Sequence, residues 1–244
     1  DSFRSQIPDL RCIVACSRPP SGWSRLEGWL APHCDQPPRI PISDDADALQ
    51  MYTSGTTGKP KSVLLTHRAV TSNLEQFGKV APFQPRDRFL LIMPLFHAAG
   101  VMAMLHTISW GASLLIHTSF VPEEVVAAMD QGGVTVAMLA PTMIQACLDD
   151  DANPGRRDFE SLRMIIYGAS PIDEEVLRRA MKVFRCDFAQ RYGTTETLSL
   201  TWLSPQDHQR ALTQNPHLLR SAGRPLPGIT IRVVDPDGQP VEVG

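Results

Sequence analysis

Aromatic residues make up only 7% of this 244-residue chain, and positive charge is in no surplus. Lys and Arg total 23 against 26 Asp and Glu, a formal net charge of −3, and no basic run follows any helix-like segment. That balance gives no electrostatic case for a nucleic-acid partner. Cysteine is sparse: Cys12, Cys16, Cys34, Cys147 and Cys186 are odd in number and lack zinc-type pairing. Reduced thiols in a cytoplasmic protein are the expectation. The chain also has no Gly-x-Gly-x-x-Gly, so a Rossmann dinucleotide site has no support. It has no Walker A loop either, which requires four residues between its glycines and Ser or Thr after the lysine. Internal repeats and low-complexity tracts are absent.

Residues 89–116 contain no Lys, Arg, Asp or Glu. The length would cross a bilayer. Pro94, His97, His106, Ser109 and Gly111 interrupt it, however, and the pattern divides into strand, helix and strand. A buried α/β core has the same composition. No transmembrane segment is expected, and peripheral membrane contact is the better of the two membrane readings.

What the chain does have is the run Tyr52-Thr53-Ser54-Gly55-Thr56-Thr57-Gly58-Lys59-Pro60-Lys61. Its hydroxyls, glycines and lysines leave almost nothing to bury. They offer backbone N–H groups, rotating O–H donors and mobile positive charge, which a polyphosphate requires. The plainer alternative is a flexible Gly/Thr linker. A second cluster, Gln190-Arg191-Tyr192-Gly193-Thr194-Thr195-Glu196, follows a predicted strand. It sets an aromatic face, a glycine for close approach, hydroxyls and one carboxylate together. A nucleotide site can use each of these, and so can an ordinary strand–turn with a surface Glu.

Around these motifs the periodicity alternates. Strands are predicted over 49–52, 63–65, 89–93, 113–117, 134–139 and 162–167. Helices are predicted from Thr66, as cap, to about Phe77; over 99–109; after Pro122-Glu123-Glu124; from Pro141; and up to Phe184. The last carries the stripe Ile172, Val176, Leu177, Ala180, Met181 and Phe184. This is an α/β fold with a mostly parallel sheet covered by helices, and ligands then sit beyond the carboxyl ends of the strands. Residues 229–234, the turn Asp237-Gly238 and Val241 predict a short antiparallel hairpin at the C-terminus. Residues 1–45 are rich in proline, with one strand over 11–17 and a short helix over 23–30. The expected organisation is a partial N-terminal segment (1–45), a nucleotide- and acyl-binding core (46–220) and the start of a barrel-like subdomain (221–244). The start at Asp1 without methionine and the strand-like end at Gly244 are read as a piece of something longer.

The decapeptide resembles the phosphate loop of the adenylate-forming superfamily: acyl-CoA synthetases, luciferases and peptide-synthetase adenylation domains. The second cluster is similar to that family's Tyr-Gly-x-Thr-Glu motif. Gly168-Ala169-Ser170 resembles its adenine-side strand end, where small residues admit a flat purine; Ser170 as a helix cap before Pro171 is an equal reading. Pro94-Leu95-Phe96-His97-Ala98-Ala99-Gly100 resembles the motif beside the acyl carboxylate, although a lone His among apolar residues is often simply packed. Gly223-Arg224-Pro225-Leu226-Pro227-Gly228 resembles the connection to the barrel and reads as structural.

The resemblance implies that Thr53, Ser54, Gly55, Thr56, Thr57, Gly58, Lys59 and Lys61 hold the β- and γ-phosphates, with Lys61 the firmer of the two lysines. It implies that Gly168, Ala169, Ser170, Gln190, Tyr192, Gly193 and Thr194 surround the nucleotide, with Tyr192 on adenine. Thr195 would touch the α-phosphate, Glu196 would ligate Mg²⁺, and His97 would lie near the acyl carboxylate. Arg191 stands where many relatives carry glycine, and its role stays open. Ser62 replaces the glycine usual after Pro-Lys. The ribose-binding aspartate, the hinge and the lysine-bearing C-terminal domain have no counterpart here, so the chain alone is expected to have little ligase activity. The implied parent is an acyl-CoA synthetase, using ATP, Mg²⁺ and coenzyme A on a carboxylic acid, most like a fatty acid. Peptide-synthetase domains usually carry an aspartate near Phe96-His97-Ala98 for the substrate ammonium, and none is present. The alternatives are an acyl-adenylating enzyme that loads a carrier protein and a non-catalytic nucleotide-binding module.

Overall fold

The computed structural model describes residues 14–15 (backbone), 21–33, 35–36, 39–54, 58–149 and 154–241. The chain forms two compact units, Asp1–Ile42 and Ser43–Gly244. In the first, β1 (Val14–Ala15) pairs in parallel with β2 (Ser24–Arg25), which leads directly into α1 (Leu26–Leu30). The predicted helix over 23–30 is thus shorter, with its first residues extended. Cys12, Cys16, Cys34 and the rest of the predicted strand over 11–17 lie outside the described residues.

The second unit opens with an antiparallel pair, β3 (Asp47–Thr53) and β4 (Lys61–Thr66), which forms its own two-stranded sheet. Thr66 accepts a hydrogen bond from the Ala69 N–H and so starts α2 (His67–Val80). Then β5 (Arg88–Leu91), α3 (Ala98–Ser109), β6 (Ser113–Ile116), α4 (Pro122–Gln131), β7 (Val136–Leu139), α5 (Pro141–Cys147), β8 (Met164–Gly168), α6 (Glu174–Phe184) and β9 (Asp187–Thr194) alternate. The charge-free stretch 89–116 divides into β5, α3 and β6. No helix among the described residues is long and apolar enough to cross a membrane.

Strands β6, β5, β7, β8 and β9 are parallel neighbours; β10 (Leu198–Leu203) and β11 (Arg224–Pro225) extend the sheet antiparallel beyond β9. Alternation along the strands builds a core on each face. Leu90, Ala137, Leu139, Ile165, Tyr167 and Phe188 pack against α4, α5, α6 and Ala211 of α7 (Pro205–Thr213). Phe89, Leu91, Val136, Met138, Ile166 and Ala189 face Phe77 of α2 and Ala103 of α3. Chain order runs from β5 to β6 on one side and back to β7 on the other. The topology therefore switches direction between β5 and β7, where such sheets leave a crevice at the carboxyl ends.

At the opposite end of the strands, Asp87 ties the starts of three of them. Its carboxylate accepts bonds from Arg163 (2.9 and 2.6 Å), the Gln84 N–H (2.7 Å) and the Thr135 hydroxyl (2.8 Å). Burial by itself would raise its pKa; these donors outweigh that and hold it at about 2.

Two local expectations are corrected. Helix α6 begins at Glu174, and its cap is the Asp173 carboxylate, which accepts from the Glu175 and Val176 N–H groups; Ser170 caps nothing. The chain after β8 first passes through Ala169 at φ 70°, so Pro171 and Ile172 precede the helix. The C-terminal hairpin contracts to one antiparallel bridge, Val234–Pro240, around a turn with Gly238 at φ 80°. The Asp235 carboxylate is bonded by the Asp237 and Gln239 N–H groups, which favours a tight turn over extended strands.

Candidate active site

The hydroxyl-and-lysine loop joins β3 to β4, an antiparallel pair outside the main sheet, so it is a hairpin loop. Thr53 and Lys61 face each other across the closing pair. Ser54, Gly58, Lys59 and Lys61 are exposed, and Thr53 is half-buried. Gly58 adopts φ 79°, a turn conformation glycine takes without strain. Gly55, Thr56 and Thr57 lie outside the described residues. The departure at Ser62 has a partner: its hydroxyl lies 2.9 Å from the Gln50 amide nitrogen, across the hairpin.

The second cluster is not a segment after a strand. Residues Gln190 to Thr194 are the end of β9 itself, and Thr195 to Thr197 turn the chain back into β10. The Thr194 N–H donates to the Thr197 hydroxyl (3.1 Å), and the two hydroxyls are 3.0 Å apart. Gly193 is dictated by packing, since a Cβ there would stand 1.7 Å from the Leu198 carbonyl oxygen. Gly168 is dictated similarly: a Cβ would meet the Arg191 carbonyl at 2.2 Å. Its smallness thus lets β8 and β9 approach, before any ligand is considered.

After β5, the turn from Pro94 closes on itself through the His97 N–H to Pro94 carbonyl bond, and His97 then occupies the N-cap position of α3 without a side-chain capping bond. Gly100 permits this, because a Cβ there would sit 2.2 Å from the Pro94 oxygen. His97 is exposed beside Phe96, their rings 4.8 Å apart. His106 behaves as expected of a packed residue. It is buried edge-on against Phe77 and Phe83, and its Nε2 donates to the Ala81 carbonyl.

These elements enclose a cleft of about 350 Å³ over the switch point. Met93, His97, Ala98 and Ala99 line it after β5, Met138 to Ala140 at the end of β7, and Tyr167 to Ala169 at the end of β8. Arg191, Gly193, Thr194, Thr195 and Leu198 complete it from the β9–β10 hairpin. Of the expected site residues, the fold therefore brings His97, Gly168, Ala169, Gly193, Thr194 and Thr195 to one cavity. Ser170, Gln190, Tyr192, Glu196 and the described loop residues lie outside its wall. Tyr192 is 47% exposed, and Gln190 is turned inward with its Oε1 buried and unpartnered.

The loop and the hairpin nevertheless meet. Met51, Val63 and Leu65 of β3–β4 share a core with Val101, Met102 and Leu198. Glu196 is held below the usual carboxylate range by its own backbone N–H, by Thr194 and by the Lys61 ammonium. An exposed, ionised carboxylate near a lysine-bearing loop fits Mg²⁺ bound mainly by phosphate oxygens and water. No cluster of three or more His, Cys, Asp or Glu among the described residues offers an all-protein metal cage.

Sequence reasoning missed the apolar walls Met93, Met138 and Leu198, because distant strands supply them. It singled out Arg191 without a role. The guanidinium stands 5.6 Å from the Phe77 ring centroid, and burial lowers its pKa to about 10.

A mostly parallel sheet covered by helices, with a cleft at the strand ends, matches the N-terminal domain of adenylate-forming enzymes. The chain belongs to the AMP-binding enzyme family, whose model matches residues 4–244. It is 33% identical over 222 residues to the fatty acid–[acyl-carrier-protein] ligase ScoC of Streptomyces coeruleorubidus, covering 88% of this chain and 42% of ScoC. It is 32% identical to the indoleacetate–CoA ligase of Aromatoleum aromaticum, covering 100% and 46%. Among solved structures, the o-succinylbenzoate coenzyme A synthetase MenE of Bacillus subtilis, in complex with ATP and magnesium ion, superposes with TM-score 0.71 at 30% identity, covering 84% and 42%. The chain thus spans less than half the length of these relatives.

Proposed function

We propose that this chain is the nucleotide-binding part of an ATP-dependent acid–thiol ligase that activates a carboxylic acid as its acyl adenylate and transfers it to coenzyme A. The observation that carries the reading is the packing of the β3–β4 hairpin, which bears Lys61, against Leu198 at the β9–β10 turn, where Thr194 and Thr195 line the cleft. In this reading a carboxylate oxygen of the acid attacks the α-phosphorus of ATP. The new C–O–P linkage forms as the bond to the bridging oxygen breaks and pyrophosphate leaves. The thiol sulfur then attacks the acyl carbon, a thioester forms, AMP departs and the thiol proton passes to solvent. Little covalent chemistry falls to the protein, whose work is positioning and charge neutralisation.

Thr53, Ser54, Gly58, Lys59 and Lys61 would hold the outer phosphates, together with Gly55, Thr56 and Thr57. Thr194 and Thr195 would bond the α-phosphate, and Gly168 to Ser170 with Gln190 and Tyr192 would flank adenine. Glu196 would ligate Mg²⁺, which supplies charge neutralisation when bound. His97, at the rim beside the apolar walls, would adjoin the acyl carboxylate. The absence of an acid at Phe96 to Ala98 favours a substrate without an α-ammonium group. A fatty acid is one member of that class, and the apolar walls support an acyl portion with some hydrocarbon.

A second reading, delivery of the acyl group to a carrier-protein phosphopantetheine, draws support from the 33% identity to ScoC. Acid-dependent exchange of pyrophosphate into ATP, measured on the whole protein that carries this chain, tests the common first step. Exchange is expected with at least one carboxylic acid and to fall at least tenfold in Glu196→Gln. No exchange with any acid would refute the proposal. Thioester formation with free coenzyme A or with a carrier protein then separates the two acceptors.

A further inference from the structure

Among the described residues that line the cleft, Arg191 is the one that carries a full charge; His97 is exposed there, and the Tyr167 ring is buried in the core on the opposite face of the sheet. Arg191 and Gly193 lie on the β9 face that looks toward α2 and α3, as Ala189 does in that core. Arg191 and Gly193 are two positions apart on the strand, about 7 Å. Arg191 thus joins the cleft wall below the level of Thr194 and Thr195, a wall that also includes Met93, Met138 and Leu198. Its Cζ lies over the Phe77 ring, 5.6 Å from the centroid, a cation–π distance. Its N–H edge carries five donors and makes no hydrogen bond or ion pair with any described residue. His106, which also packs on Phe77, offers no counter-charge: its Nε2–H donates to the Ala81 carbonyl, and burial lowers its pKa. A half-buried cation without a counter-charge is costly to keep when apolar residues could fill the same space. A plain alkyl chain in this cleft would deepen that penalty by excluding the remaining water.

We infer that Arg191 is the counter-charge for a second anionic group on the acid substrate, so that the acid activated here is a short dicarboxylic or similarly anion-bearing acid and not a simple fatty acid. The inference rests on the adenylation reading above and narrows it. A cleft of about 350 Å³ is at the small end for a ligand site and must also admit the α-phosphate, which agrees with a short acyl portion. Bidentate pairing of a planar carboxylate with the free N–H edge would satisfy both partners.

The test is pyrophosphate exchange by the whole protein with matched acids of three to six carbons, each dicarboxylate against its monocarboxylate, in wild type, Arg191→Met and Arg191→Lys. Wild type is expected to prefer the dicarboxylate at least tenfold in kcat/KM. Arg191→Met should lose at least thirtyfold more on the dicarboxylate than on the monocarboxylate, with Arg191→Lys in between. Retained ATP binding by Arg191→Met serves as the folding control. If Arg191→Met no longer binds ATP, the wild-type preference alone decides. Equal losses on both acids, or a wild type that prefers monocarboxylates, would overturn the inference while leaving adenylation standing. Absence of exchange with every acid would remove the adenylation reading itself, and this inference with it.

Discussion

Replacing Asp87 with Asn should unfasten the starts of the central strands without touching the cleft at their other ends. The carboxylate is 2% exposed and receives donors from Arg163, Thr135 and the Gln84 backbone. Its pKa, held at about 2 against an ordinary 3.8, corresponds to roughly 2 kcal/mol of stability at neutral pH. The variant also leaves Arg163 without its counter-charge. Because Arg163 is itself 37% exposed, water relieves part of that loss, and a total of about 2–3 kcal/mol is expected. That is a fall of roughly 5–10 °C in Tm for a domain of this size. The sign of the pH dependence follows from the depressed value. The contribution is fully present above about pH 4 and fades as pH falls through the folded value. Near pH 3 about half of it is gone. Urea unfolding of wild type and Asp87→Asn at pH 7 and pH 3 should therefore show a gap that narrows at the lower pH. An equal gap at both values, or none at pH 7, would refute the account of this cluster.

The Gly193→Ala variant forces a Cβ to 1.7 Å from a backbone oxygen that cannot swing aside, so β9 and β10 must part. A loss of about 1–3 kcal/mol and weakened ATP binding are expected by thermal unfolding and calorimetry; wild-type behaviour would contradict the packing described. Asp173→Ala should cost about 1 kcal/mol through the lost cap of α6, whereas Ser170→Ala should change urea stability by less than about 0.5 kcal/mol; the reverse order would restore Ser170 as the cap. In the buried pair Tyr167–His208, the His208 Nδ1–H donates to the Ser204 carbonyl (2.8 Å), so Nε2 accepts from the Tyr167 hydroxyl (2.9 Å). Tyr167→Phe strands that acceptor, at about 1–3 kcal/mol. Burial lowers the His208 pKa from 6.5, so the stability gained from keeping the ring neutral is present above about pH 6.5 and declines below it, which a pH series of unfolding curves would reveal.

Most element types were legible because each rests on short-range patterns. Thr66 as a cap, Pro122 and Pro141 at helix starts, and the stripe on α6 are signals contained within a few residues. The misreadings arose where two local signals competed or where pairing was remote. Ser170-Pro171 offers a good helix start by composition, yet the left-handed Ala169 and the better-placed Asp173 carboxylate move it three residues on. The strands flanking the loop at 52–61 were legible, but only the antiparallel register of β3 with β4 makes it a hairpin outside the main sheet.

By itself the sequence determined the alternating α/β order, the family motifs and the candidate residues, since hydrophobic period, capping and motif spacing all act over one or two turns of chain. Which of those residues share a cavity depended on contacts between segments more than a hundred positions apart. The Asn73 amide bonding the Ser199 carbonyl at 2.8 Å, and Leu198 packing on Met51, set the β9–β10 turn against the lysine hairpin. The same tertiary packing placed Arg191 in the cleft wall with no ion pair to a described residue. A side chain's charge is written in the sequence, but whether it finds water, a partner or neither is decided only when the fold closes around it.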